Sequence, residues 1–418
     1  MIVGTVTYAF FNYTRTGGTN TISTGRIYFN SDYDDVMLNG IFPIDKSNVN
    51  TDSTNVMTVN VDVEGNTTYE YGLWYYITIE SVNLTVNNKQ VPVSFEVSAS
   101  NIPGIDIRSY SHGYIVEDGD YFATGFIPKN VDVDGTLTIK AYLDNKYIAI
   151  SDTYDGNESN NMGTTNGWVN NRVVLTTDEW NSLLSQNSLS FKVKVVSEEG
   201  QTPTDSSCFT TTTSGEEEGK IAITGYDVSC GGTDVVLPEK IDGKTVAAIK
   251  LGGLNNKGLT SLILNNGIER IVDGAVGNNS IKKIYIPNTV TTINGNGFLN
   301  NSLEEIYLTN GLNLSNNFGA GFIGNNIKSL YIPGTMENID SSFKDNPQLS
   351  KLYISDGVKN IGNSLNPAFN NDQISKVFIP SSVELMYCNA FNNQFDNNSN
   401  LITTQIIYEN DNFSCTAS

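Results

Sequence analysis

One histidine in 418 residues removes several chemistries at once. A metal site built on two histidines is excluded, and a Ser-His-Asp arrangement has only His112 to serve as base. Its neighbours in SYSHGYIV, Ser109 and Ser111, lie in no strand-turn-helix nucleophile context, so a lone, partly buried histidine is expected and no catalytic residue is assigned. Basic residues are scarce as well. Against 45 Asp and Glu stand 24 Lys and Arg, a formal charge of -21, so like-charge repulsion disfavours nucleic acid and anionic membrane as partners. No apolar run approaches the ~20 residues that a membrane span requires. The closing residues NFSCTAS carry no LPxTG-like sorting motif. Cysteine is limited to Cys208, Cys230, Cys388 and Cys415, spaced too widely for a CxxC redox or zinc site. Disulfides within each successive pair are the simplest reading, with the other connectivities and free thiols as alternatives. Pairable cysteines in an acidic, Asn/Thr-rich chain suit an oxidising exterior.

What the chain does contain is the composition of a folded β-protein: 10% aromatic and 39% apolar residues, with alternating Thr, Val, Tyr and Ile. From Phe10 to Val196 short period-two runs recur, among them MTVNVDVEG, LWYYITIESVNLTV, VPVSFEVSAS, GTLTIKAYLD and LSFKVKVVS, separated by Gly, Asn, Asp and Pro. Such runs predict antiparallel strands with one buried face, hence a sandwich of jelly-roll type. TTDEWNSLLSQN interrupts them as a helix, with Thr176 three residues before Glu179 as a capping box and Trp180, Leu183 and Leu184 on one face. The opening MIVGTVTYAFFNYTR reads either as the tail of a signal peptide ending near Ala9 or as a first strand. VGTVTYAFFNYTRTGGTNTISTGRIYF resembles the amino terminus of the camelysin and TasA family of secreted β-sandwich matrix proteins over about thirty residues. That resemblance implies export, processing after Ala9 and assembly into fibres by strand donation.

Gln201 to Glu218, QTPTDSSCFTTTTSGEEE, is polar and aperiodic and predicts a linker. A second pattern follows. LxxLxL recurs at Leu259, Ile281, Leu303, Ile327, Leu349 and Ile374, at spacings of 22, 22, 24, 22 and 25, within the window of roughly 20 to 29 residues for leucine-rich repeats. Units carry a corner phenylalanine (Phe298, Phe322, Phe343, Phe369, Phe391) and close on Asn-Asn at Asn278, Asn300, Asn325, Asn370 and Asn392. Asparagine tolerates the left-handed conformation that a tight corner demands. IKKIYIPNTVTTINGNGF and ISKVFIPSSVELMYCNAF resemble the BspA-type leucine-rich repeats of bacterial surface proteins, a likeness covering about residues 220 to 408. It departs at Val276, which replaces the corner Phe, and in the Leu303 and Leu349 units, which lack the Pro. The mainly-β organisation expected is therefore 1–11 as signal remnant or first strand, 12–200 as sandwich, 201–219 as linker and 220–418 as solenoid with an amino-terminal cap.

Because side chains alternate along a strand, the residue between the last two inward positions of LxxLxL faces outward. That column reads Val236, Ile263, Tyr285, Tyr307, Tyr331, Tyr353, Phe378 and Gln405. Two residues upstream lie Ser261, Lys283, Glu305, Ser329, Lys351 and Lys376. The expectation is an exposed aromatic ladder with a charged margin, formed by Tyr285, Tyr307, Tyr331, Tyr353, Phe378, Lys283, Glu305, Lys351 and Lys376. Neighbouring rings stabilise a sheet whatever else they do; contiguous exposed tyrosine also suits recognition. The acidic loops VEDGDYF (Glu117, Asp118, Asp120) and DTYDGNES (Asp152, Asp155, Asn157, Glu158) miss the calcium-loop register and read as solvated turns. Trp74, Trp168 and Trp180 read as sandwich packing. No metal or cofactor is assigned. The function expected is a secreted or cell-surface binding protein whose solenoid takes a protein or glycoprotein ligand, with a fibre or biofilm-matrix subunit that self-assembles as the alternative. Carboxylate pairs are too common in so acidic a chain to argue for a glycosidase.

Overall fold

The computed structural model describes residues 20–24, 27–31, 42–66, 70–80, 84–152, 168–169, 172–185, 191–312, 321–410 and 412–417. Residues 1–11, most of the camelysin/TasA-like stretch, and Asp155, Asn157 and Glu158 lie outside the described residues. The chain divides into two compact units, Met1–Gln201 and Thr202–Ser418. Among the described residues the regular elements of both are mostly strands.

Among the described residues the first unit contains, beside a three-stranded sheet of Ile148–Ile150, Arg172–Leu175 and Trp168–Val169 and a hairpin of Thr85–Val86 and Lys89–Gln90, two larger antiparallel sheets. One runs in the order Asn20–Thr24, Ile27–Ser31, Met57–Asn66, Asp132–Tyr142 and Ser94–Ser100. The other runs Lys192–Glu199, Leu73–Glu80, Tyr121–Ile127 and Asp106–Ile107. Alternation drives the layering: in MTVNVDVEG the residues Val59, Val61 and Val63 are buried while those between them are half-buried. The two inner faces meet where Phe95 of the first sheet lies 5.1 Å from Phe122 of the second, with Phe191 edge-on at 5.3 Å. Burying such a side chain contributes roughly 1.5–3 kcal/mol, so these rings hold the layers together. Tyr121–Ile127, YFATGFI, has no clean alternation and was not expected as a strand. Its Gly125 explains the pattern, since a Cβ there would sit 2.2 Å from the Tyr75 hydroxyl of the adjacent strand. Helix Thr177–Ser185 starts on the expected capping box: Glu179 N–H donates to Thr176 Oγ1 (3.1 Å) and Thr176 N–H to Glu179 Oε2 (2.9 Å). Trp180 and Leu183 are buried beneath it, whereas Leu184 is half-buried.

The second unit begins earlier than the sequence suggests. Residues 201–219, expected as a linker, hold a 3-10 turn at Ser206–Cys208 and the strand Phe209–Thr212, which pairs antiparallel with Lys220–Tyr226. Polarity misled here because this is an edge strand, and β-branched threonine suits its partly exposed surface. A Cys208–Cys230 disulfide (Cα–Cα 5.4 Å) ties the segment to the cap.

From there the chain coils as a leucine-rich-repeat solenoid. Parallel strands pair one coil apart, Asp234–Val236 with Ser261–Ile263, Lys283–Ile286 with Glu305–Leu308, Ser329–Ile332 with Lys351–Ile354, and Lys376–Ile379 with Gln405–Tyr408. A second wall stacks Lys244–Ile249, Arg270–Ile271 and Thr292–Ile293, and further on Asn338–Ile339, Asn360–Ile361 and Leu385–Met386. Between the walls Phe298, Phe322, Phe343, Phe369 and Phe391 form one continuous stack, with centroids 5.3, 5.6, 6.2 and 5.3 Å apart and planes within 12° of parallel. Corners turn through left-handed asparagines, with φ of 56° at Asn278, 51° at Asn300, 61° at Asn371 and 54° at Asn393. A Cys388–Cys415 disulfide (Cα–Cα 5.0 Å) closes the far end, where Thr416 forms a parallel bridge with Tyr387.

Candidate binding face of the solenoid

The inward residues of each LxxLxL are buried, so the strands present alternate residues outward as expected. Backbone register then decides which outward residues align. Tyr285 pairs with Tyr307 and Tyr331 with Tyr353, with ring centroids 5.2 and 4.9 Å apart and interplanar angles of 20° and 17°. Phe378 aligns with Ile407, not with Gln405, which lies opposite Lys376. The last coil is lengthened by a small hairpin, Gln394–Phe395 with Leu401–Ile402, and this shifts the register read from sequence.

The column differs from the expectation in one respect that matters. Taken over the whole chain, Tyr307, Tyr331 and Tyr353 are 5%, 7% and 4% exposed, whereas Tyr285 and Phe378 are half-buried. The ladder is thus not an open strip of five rings. Stacking covers one ring face of each tyrosine, but half-buried Tyr285 shares it, so stacking alone does not account for the burial of the other three.

The margin is more open. Lys283 Nζ lies 3.4 Å from Glu305 Oε2, both side chains half exposed or more. Beside them Glu304 lies between Lys282 (3.7 Å) and Lys328, and the Lys328 ammonium holds its carboxyl below the usual range. Lys351 aligns with Ser329 and is half-buried. Lys376 Nζ lies 4.7 Å from the Phe378 ring centroid, and burial pushes its ammonium down to about 7. The face therefore combines stacked rings, three of them buried, with a strip of alternating charge.

Residues weighed for chemistry are occupied structurally. His112 has φ 59° and its Nδ1 lies 3.5 Å from the Tyr147 hydroxyl. Ser109 Oγ accepts from Val97 N–H at 3.0 Å. Asp120 accepts from Glu117 N–H at 2.9 Å, and Asp152 from the N–H and hydroxyl of Thr177 at 2.6 and 2.7 Å, both turn and cap roles. Trp74 packs on Phe126 at 4.9 Å, and Trp180 on Phe42 at 5.9 Å. Among the described residues no helix is long and apolar enough to cross a membrane.

Sequence reasoning missed a second column. One residue after each left-handed corner a polar side chain turns inward: Asn279, Asn301, Asn325, Asn346, Asp372 and Gln394, all buried. Asn325 is representative, its Oδ1 accepting from Leu303 N–H (3.2 Å) and its Nδ2 donating to the carbonyls of Phe298 (3.0 Å) and Phe322 (2.9 Å). The signal was the Asn-Asn repeat: its second member turns inward at Asn279 and Asn301, its first at Asn325, and the residue just after it at Asp372 and Gln394.

Residues 239–342 and 278–399 match the BspA type leucine rich repeat region, in 6 copies. The matched residues make up less than half of the chain. No curated protein matches it in sequence. Among solved structures, a leucine rich cell surface protein from Faecalibacterium prausnitzii A2-165 is 19% identical over 51% of this chain and 56% of its own, with a TM-score of 0.38. The pneumococcal vaccine antigen PcpA is 18% identical over 49% of this chain and 48% of its own, at 0.32. A leucine-rich repeat protein from Bacteroides ovatus ATCC 8483 is 14% identical over 48% and 66%, at 0.30. The chain thus spans about half the length of the first two, and it is the solenoid that is similar to a known family of repeats.

Proposed function

We propose that the chain is a secreted or cell-surface binding protein whose solenoid engages an extracellular protein or glycoprotein through its strand face. The observation that carries this reading is the register-locked charged margin beside the aromatic column, Lys283 opposite Glu305 and Lys282 and Lys328 about Glu304. Its repeated pitch gives a ligand contacts of alternating charge in one line. Half-buried Tyr285 and Phe378 supply apolar contact at the ends of the column, and the buried middle tyrosines hold it rigid. The match to BspA-type repeats supports a surface setting. An array of matrix proteins and glycans, probed with the full chain and with a Lys282→Glu, Lys283→Glu, Tyr285→Ser variant, tests it. Loss of the bound ligand in the variant is expected; unchanged binding removes the strand face from consideration.

A second reading, a structural subunit of a fibre or matrix, draws on one observation. Asn20–Thr24 is an edge of its sheet among the described residues, and such an edge accepts a strand from another copy. Deleting the first fourteen residues would abolish polymers under that reading and leave ligand binding intact under the first.

A further inference from the structure

The buried polar column has one member of a different kind. In Asn279, Asn325 and Asn346 the amide oxygen accepts a main-chain N–H from the preceding coil, while the amide nitrogen donates to main-chain carbonyls, among them those of Phe322 and Phe343 in the case of Asn346 (3.2 and 2.7 Å). Gln394 does the same, accepting from Ile374 N–H at 2.9 Å and donating to Phe369 O at 3.0 Å. Between Asn346 and Gln394 the rung is Asp372, which is 0% exposed. Its Oδ1 plays the oxygen part, accepting from Asn346 N–H at 2.8 Å. Its Oδ2 takes the place of the amide nitrogen and has no hydrogen-bond partner. In that place every other rung offers a donor to carbonyl oxygens, and a carboxylate has none to offer.

We infer that Asp372 is carried in the folded chain as the neutral acid, its Oδ2–H filling the donor position that an amide fills elsewhere in the column, and that this makes the solenoid loosen as the solution becomes basic. The surroundings favour the proton. The neighbouring rungs Asn346 and Gln394 are uncharged, and the ionisable group acting on Asp372 is Asp345 at the preceding corner, itself bonded to Asn371. Burial pushes the Asp372 carboxyl up to about 8, the Asn346 N–H opposes this, and the Asp345 charge adds to it. In the unfolded chain the carboxyl titrates at its ordinary value near ~4. The folded state therefore holds a proton that the unfolded state has lost across the interval between the two values. Stability is fully present below the lower value, falls as pH rises, and levels off above about 8.

The test compares the full wild-type chain with Asp372→Asn by urea unfolding from pH 5 to 9, so that titrations common to both cancel. The wild-type folded-to-unfolded ratio should fall relative to the variant by about tenfold per pH unit between roughly pH 5 and 8. Asp345→Asn should shift the upper end of that decline to lower pH. Carbon NMR of aspartate-labelled wild type supplies a reading that needs no folded variant, with one carboxyl expected to titrate far above the others. Parallel pH profiles for wild type and Asp372→Asn, or an Asp372 carboxyl that titrates near 4 in the folded chain, would overturn the inference.

Discussion

Replacing Phe343 by alanine probes the element on which the solenoid most depends. The ring is 0% exposed and lies 5.6 Å from Phe322 and 6.2 Å from Phe369, nearly parallel to both. Truncating a buried phenylalanine costs about 3–5 kcal/mol in lost burial and cavity, and the two stacking contacts, each worth about 0.5–1.5 kcal/mol, place this site in the upper part of that range. Against a total stability of about 5–15 kcal/mol this is a large fraction. Because a solenoid's stability is a sum over coils and their nearest-neighbour interfaces, the damage should also be local. Urea unfolding of the full chain should lose about 4 kcal/mol, and hydrogen exchange should show lost protection in the coils around Phe322, Phe343 and Phe369 while the cap strand Lys220–Tyr226 keeps its own. Phe343→Leu should recover part of the burial but not the stacking. A loss below about 1 kcal/mol, or protection lost evenly from cap to end, would refute the nearest-neighbour account.

Asn325→Ala leaves Leu303 N–H and the Phe298 and Phe322 carbonyls without a side-chain partner, and should cost about 2–4 kcal/mol in the same urea assay. Cys388→Ser with Cys415→Ser opens a loop of sequence separation 27 and should cost about 3.5 kcal/mol by loop entropy, with proteolysis beginning at the carboxy-terminal strap. Thr176→Ala removes the cap that accepts from Glu179 N–H and should cost about 1 kcal/mol, read as lost exchange protection confined to helix Thr177–Ser185.

Much of this was legible because side-chain alternation is a strict geometric rule. It placed Leu262 and Leu264 inward and Tyr285 and Lys283 outward, while capping-box spacing set Thr176 against Glu179 at the helix start. Short-range rules failed where long-range packing decides. Tyr121–Ile127 is absent from the period-two runs because Gly125, required by a tyrosine on the next strand, interrupts its alternation. The segment 201–219 reads as a linker because an edge strand stapled by Cys208 has only one face to bury. Gln405 was placed in the aromatic column because a hairpin inserted into one coil does not disturb local periodicity. Polarity hid the buried Asn column: a buried amide is stabilised by the bonds it makes, and the partners of Asn325 include residues more than twenty positions away. Exposure of the tyrosines was the hardest to read, since a pattern gives direction but not what lies beyond it.

The central claim is that the strand face, with its charged margin, is where a ligand sits. Lysine acetylation footprinting with and without a ligand captured from the array tests this most directly. The account predicts that Lys282, Lys283 and Lys351 are protected by the ligand while Lys240 and Lys244, exposed on the cap hairpin, are labelled as before. Protection of the cap lysines with the margin still fully labelled would contradict it.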